Sequence, residues 1–138
     1  VCSCSAQKVL SYASRLSGPL LERIDIHFKM PELKPSQFAK STPKQTHKIL
    51  ARVEHARSFM VTRWGRDHDN AEANLEEILE SSLITDSKRE TLMEDLERLQ
   101  VSSRSTLRLL RVARTLADMD QTINLEPQHI KEAAGYRP

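Results

Sequence analysis

Residues 102–118 read SSRSTLRLLRVARTLAD, and the fold follows from how this stretch is interpreted. The Ser102–Ser103 pair can cap a helix, and about four turns then pass without Gly or Pro. On a helical wheel Leu109, Leu110, Ala113, Leu116 and Ala117 share one face. Arg104, Arg108 and Arg111 line the opposite face, with Arg114 to one side and Asp118 as the only acid in the segment. Such a helix can anchor a helical core and still offer guanidinium groups outward. All the cations are Arg, which suits bidentate contact with phosphate or carboxylate. Arg104 falls in the first turn, where a cation opposes the helix dipole. Beside the plain alternative of a solvated face, two uses of the stripe stay open: phosphate contact, or pairing with acids elsewhere in the chain.

The surrounding composition agrees with a helical domain. The chain has 138 residues, 3 Gly and 4% aromatics, and Leu, Arg, Glu and Lys abound. Net charge is only +2, but the signs are banded. Lys44 to Arg66 carries six Lys or Arg against the single acid Glu54, and Asp67 to Glu97 carries eleven acids against Lys88 and Arg89. Banding of this kind suits oriented contacts, either among the chain's own helices or with a polyanion. Cys2 and Cys4 supply only half of a zinc site and read as reduced thiols. No signal peptide and no apolar run of membrane length appear, so a soluble cytoplasmic protein with no membrane partner is expected. A chain that starts without Met and enters directly at C-x-C reads as a piece of a longer protein.

Working outward, Ser5 to Arg15 predicts a short helix with Val9, Leu10 and Tyr12 or Ala13 inward. Pro19 suits the first turn of a second short helix, Pro19 to Arg23. Ile24 to Met30 alternates apolar and polar residues and predicts a strand, which needs either an outside sheet or an edge to pack on. Prolines at 31, 35 and 43 mark a linker over 32–42. A long helix is expected from Pro43 to Gly65, with Ile49, Val53, Ala56, Met60 and Trp64 as its buried stripe. Lys44, Lys48, Arg52 and His55 line another of its faces, as a solvated surface or as a track for a nucleic-acid backbone. Asn74 to Glu77 resembles a capping box opening a helix that turns Leu75, Ile78, Leu79 and Leu83 inward. Thr85 or Asp86 caps the next, which buries Leu92, Met93, Leu96 and Leu99. Pro127 starts the last, with Ile130, Ala133 and Ala134 inward. The region from 43 to 138 is therefore a bundle of about five helices, preceded by a helix–helix–strand remnant over 1–31.

Several chemistries are absent from the sequence. There is no G-x-x-x-x-G-K-[ST] loop, no H-E-x-x-H and no G-x-S-x-G. His27, His47, His55, His68 and His129 lack metal-ligand spacing and read as surface or boundary residues, and no metal site is expected. Two places remain. Arg23 ends a short helix just before the expected strand, and Arg104 opens its own helix. An Arg at such a corner can reach a phosphate on a neighbouring molecule; Arg23 can equally form a structural salt bridge with Asp25 or Glu22.

The string Cys2-Ser3-Cys4-Ser5 and the string Arg15-Leu16-Ser17-Gly18-Pro19-Leu20-Leu21-Glu22-Arg23-Ile24-Asp25-Ile26-His27 closely resemble the magnesium-chelatase-like AAA+ ATPases of the ComM/YifB group. So do Leu110-Arg111-Val112-Ala113-Arg114-Thr115-Leu116-Ala117-Asp118 and the closing His129 to Arg137. The resemblance runs in order along nearly the whole chain, with Gln37 to Ser103 matching mainly in pattern. It departs at Phe38 to Pro43, which lacks the expected small-residue turn, and at Glu22, where Asp is commoner.

The resemblance implies an AAA+ C-terminal helical lid bundle after the end of the ATPase core. Arg23 would be the arginine finger reaching ATP on the adjacent subunit. Arg104 would be the sensor-2 arginine facing nucleotide in its own subunit, with Arg108 and Arg111 beside it. ATP and Mg2+ would be cofactors of the intact protein, none being expected on this stretch, which lacks the Walker motifs and should be inactive alone. The implied partner is a homo-oligomeric ring, hexameric in most family members. The implied function is ATP-driven DNA remodelling, as branch migration in natural transformation. The rival readings are a magnesium-chelatase motor subunit, and a helical DNA-binding or protein-docking module using Lys44, Lys48 and Arg52.

Overall fold

A computed structural model describes residues 3–15, 18–32, 34, 36, 45–99 and 102–137. Among them are seven helices and no strand: α1 (Ala6–Ala13), α2 (Gly18–Leu21), α3 (Thr46–Trp64), α4 (Leu75–Ser81), α5 (Asp86–Arg98), α6 (Ser103–Met119) and α7 (Pro127–Gly135). No helix among the described residues is long and apolar enough to cross a membrane. The expected start of α3 at Pro43, and the site residue Lys44, lie outside the described residues.

Local chemistry sets the helix ends. The Ser102 hydroxyl accepts the Ser105 N–H at 3.3 Å and caps α6. Asn74 and Glu77 form a reciprocal capping box on α4, at 3.0 and 2.8 Å. Gly65 stops α3 in the left-handed conformation, φ 65°, and its N–H bonds the Val61 carbonyl at 2.9 Å. Pro127 occupies the first turn of α7.

Helix α6 is the axis of the bundle. Leu109, Leu110, Ala113 and Ala117 are buried, as the wheel predicts, and pack with Ala73, Ile78, Leu96, Ile130 and Ala133 from the surrounding elements. Burying a Leu or Ile side chain contributes roughly 1.5–3 kcal/mol, so this face dominates the fold.

The expected orientation fails at the edges of the bundle. Val9, Leu10 and Tyr12 of α1 are exposed rather than inward. In α3 only the second half meets the body: Ala56, Met60 and Trp64 are half-buried, whereas Ile49 and Val53 are exposed. Leu83 and Leu99, expected inside, are also exposed, because each follows the end of its helix, where the 3.6-residue period no longer applies. Leu83 takes a positive φ of 49°.

Ile24 to Met30, expected as a strand, forms no regular element and bends at Asp25; no neighbouring strand pairs with it among the described residues. It lies instead beside the end of α7, where the His27 N–H donates to the Tyr136 carbonyl at 2.8 Å. Arg137 reaches the same segment, donating to the Ile24 carbonyl at 3.4 Å and to Ser105 Oγ at 2.8 Å. These bonds carry residues 23–27 to the N-terminal half of α6.

Candidate functional site

The four arginines of α6 divide by environment. Arg114 corrects the sequence reading: it is fully buried, at 0% exposure, and offers nothing outward. Its Nη1 donates to Ser82 Oγ at 3.0 Å and to the Ile123 carbonyl, and its Nη2 to Asp118 Oδ1 at 3.1 Å and to the Thr122 carbonyl. Asp118 also accepts both Nε and Nη2 of Arg63, at 2.8 and 2.9 Å. Asn70 donates to the same carboxylate at 2.7 Å and accepts from Trp64 Nε1 at 3.0 Å. Burial pushes the Arg114 guanidinium down to about 10, with the Asp118 charge opposing the shift and Arg63 adding to it. It stays charged at neutral pH. This network fastens α3, the 66–74 loop, the end of α4 and the α6–α7 loop to α6.

Arg111 donates Nε to the Ala73 carbonyl at 2.9 Å and so holds the start of α4. Arg108 places Nη1 2.5 Å from Asp25 Oδ1 and 2.8 Å from the Arg23 carbonyl. Asp25 therefore pairs with Arg108, not with Arg23. The two arginines expected beside Arg104 as phosphate ligands thus both have protein acceptors. Arg104 itself is exposed at the N-terminal turn of α6 and makes no ion pair or side-chain hydrogen bond among the described residues.

Arg23 is exposed just after α2. Its Nη1 returns to the Pro19 carbonyl at 2.8 Å, and it forms no ion pair among the described residues. The Arg108 contact brings its backbone to α6, one helical turn from Arg104. One corner thus carries two exposed guanidinium groups on separate scaffolds, with Arg108 as the tie between them.

Lys48 and Arg52 are exposed on the first half of α3, away from that corner in the chain. Arg52 and Arg111 border one cleft of about 570 Å³, together with Asp25, Asp69 and Tyr136. The structure thus brings a residue expected on the nucleic-acid track next to one expected on the nucleotide.

Sequence reasoning missed the buried network. Its one local signal is the spacing of Arg114 and Asp118, four apart beside Ala113 and Ala117, whose small side chains leave room for a guanidinium against the core. His129 was read as a surface or boundary residue but is buried. Its Nδ1 accepts the Glu126 N–H at 3.0 Å and its Nε2 lies 3.3 Å from Asp120 Oδ2, so it works as a cap for α7. Among the described residues no group of three His, Cys, Asp or Glu could hold a metal ion.

Comparison with known proteins matches this chain throughout. A family profile described as magnesium chelatase, subunit ChlI, covers residues 1–38. YifB of Escherichia coli, an uncharacterized protein, is 33% identical over 136 residues, covering 97% of this chain and 26% of its own length. The competence protein ComM of Haemophilus influenzae is 30% identical over 135 residues, covering 96% of this chain and 26% of its own. An uncharacterized protein of Mycobacterium bovis is 33% identical over 121 residues, covering 86% and 24%. The chain spans about a quarter of the length of the curated relatives it matches. A second profile, magnesium chelatase subunit ChlI C-terminal, covers residues 43–137, most of the chain, which therefore belongs to the magnesium-chelatase-like ChlI C-terminal family.

Proposed function

We propose that this chain is the C-terminal part of a ring-forming AAA+ ATPase of the ComM/YifB type, with residues 43–138 as its lid. The observation that carries this reading is the selective freedom of Arg104. Three of the four arginines on α6 are committed to protein acceptors; the one at the helix start is not. A free cation set against the helix dipole costs stability in isolation and is relieved when an anion arrives. Arg104 then contacts nucleotide phosphate in its own subunit. Arg23, on its separate corner, reaches the nucleotide of the adjacent subunit and stabilises charge that develops during phosphoryl transfer. Arg108 positions both by joining the Arg23 backbone to α6. ATP with Mg2+, when bound, would supply the phosphoryl group and charge neutralisation. Among the described residues no group of three His, Cys, Asp or Glu fits that metal, so no residue role is assigned toward it.

On this reading DNA is the remodelled partner, by branch migration in the cytoplasm, with a hexameric ring as the assembly; that one relative is named a competence protein agrees with it. A chelatase motor is the second reading, supported by the family descriptions. ATP turnover of the full-length protein with and without branched DNA separates them: stimulation supports the first reading, and no response to any DNA favours the second. This 138-residue chain alone should show no turnover.

A further inference from the structure

Arg137 follows α7 and is half-buried. Its Nη2 donates to Ser105 Oγ at 2.8 Å, and its Nη1 donates to the Ile24 carbonyl at 3.4 Å. Ser105 is the residue after Arg104, and Ile24 is the residue after Arg23. One guanidinium thus joins the neighbours of the two exposed arginines. Ser105 is buried, so the shorter bond is shielded from water. The guanidinium fork is planar and rigid, which fixes the spacing of its two acceptors.

Other bonds brace the same corner. The Tyr136 carbonyl accepts the His27 N–H at 2.8 Å, and His27 Nε2 lies 3.1 Å from the Leu21 carbonyl at the end of α2. Arg108, one turn on from Arg104, holds the Arg23 carbonyl and the Asp25 carboxylate. Tyr136 and Arg137 are themselves anchored, because Ile130 and Ala133 of α7 pack in the core with Leu109 and Leu110 of α6. The corner therefore hangs on the bundle from two sides: from Arg108 on α6, and from the residues that follow α7.

We propose that Arg137 is a positioning residue for Arg23: by tying Ile24 to Ser105 it sets where the Arg23 corner stands relative to the start of α6. The inference rests on the nucleotide reading of Arg23 given above. Arg137 touches no phosphate in this role and acts only through the backbone beside Arg23. A misplacement of about 1 Å at a group that meets the reacting atoms costs on the order of a hundredfold in rate. Arg23 is exposed, and its side chain bonds only the Pro19 carbonyl of its own corner, so its placement on the bundle is decided by the bonds to the neighbouring backbone. A clasp that merely held down the chain after α7 would have no effect on phosphoryl transfer beyond its effect on folding.

The test is a double-variant cycle on the full-length protein, with ATP turnover and ATP affinity measured for Arg137→Ala, Arg23→Lys and the two combined. Arg137→Ala should lower turnover at saturating ATP by about tenfold or more and leave affinity within about twofold. In the Arg23→Lys protein the same change should cost less than about twofold, because the group it positions is already impaired. Ser105→Ala removes only the acceptor on α6 and should lower turnover in the same direction; it serves as the second variant if Arg137→Ala fails to fold by circular dichroism. The proposal is overturned by turnover that stays at the wild-type level in Arg137→Ala and Ser105→Ala, by ATP affinity that falls in step with turnover, or by losses that multiply in the combined variant. Arg23→Lys with wild-type turnover would overturn the nucleotide reading itself, an outcome distinct from an Arg23→Lys defect that Arg137→Ala does not share.

Discussion

Arg108 and Asp25, 83 positions apart, meet at 2.5 Å, and the same guanidinium nitrogen holds the carbonyl of Arg23. The pair fastens the corner that carries Arg23 to the helix that opens with Arg104. Asp25 is half exposed, so the pair contributes little to global stability, and Arg108→Ala should cost less than about 1 kcal/mol in urea denaturation. Its effect should appear locally: amide exchange at Arg23, Ile24 and His27 should quicken while α6 stays protected. Unchanged exchange at those amides would show that the corner is held by other contacts.

The Arg63–Asp118–Arg114 network should behave oppositely. Both members of the α6 pair are essentially fully buried, so removing one strands the other. Asp118→Asn or Arg114→Met should each destabilise the fold by about 3–5 kcal/mol, read as a lower urea midpoint. Arg114→Lys should not rescue, because an ammonium cannot donate at once to Ser82, Asp118 and two carbonyls in the planar spacing of a guanidinium.

Acid should loosen the start of α4. The Asn74 backbone N–H, then the nearby His68 and Arg66 charges, hold the Glu77 carboxyl below its ordinary value of 4.5, with burial opposing them. A carboxylate with a depressed folded value adds stability that is fully present above the ordinary range and is lost as pH falls through the lowered one. Thermal melts of wild type should therefore fall more steeply below about pH 4.5 than those of Glu77→Gln. Parallel curves would contradict the cap's role.

Leu83 offers a test of local backbone strain. Its φ of 49° is costly for a side chain branched beyond Cβ, by roughly 1–2 kcal/mol. Leu83→Asn should raise the melting temperature by a few degrees, since Asn tolerates that conformation; an unchanged or lower melting temperature would show that the position is not strained.

What was legible in the sequence is what local chemistry decides. Ser102, the Asn74–Glu77 box, Gly65 and Pro127 set helix ends where they were expected, because caps act within one turn. The core face of α6 was legible because one period governs all of it. Burial set by distant partners was not. Arg114 reads as a flank cation until Ser82 and the 122–123 carbonyls arrive from other segments. Ile49 and Val53, one turn apart, carry a core pattern yet are 60% and 43% exposed. Alternation from Ile24 to Met30 did not yield a strand, because ladder pairing needs a second strand and none lies beside it among the described residues. At the candidate site, Arg23 and Arg104 were legible as exposed corners, whereas the acceptors of Arg108 and Arg111 lie many residues away.

The central claim is that Arg23 serves a triphosphate on the next protomer. Steady-state ATP turnover and equilibrium ATP binding of the full-length Arg23→Ala protein test it most directly. Turnover should fall by about a thousandfold or more while ATP affinity stays within about twofold of wild type. Turnover that persists, or ATP binding that vanishes with it, would contradict the account.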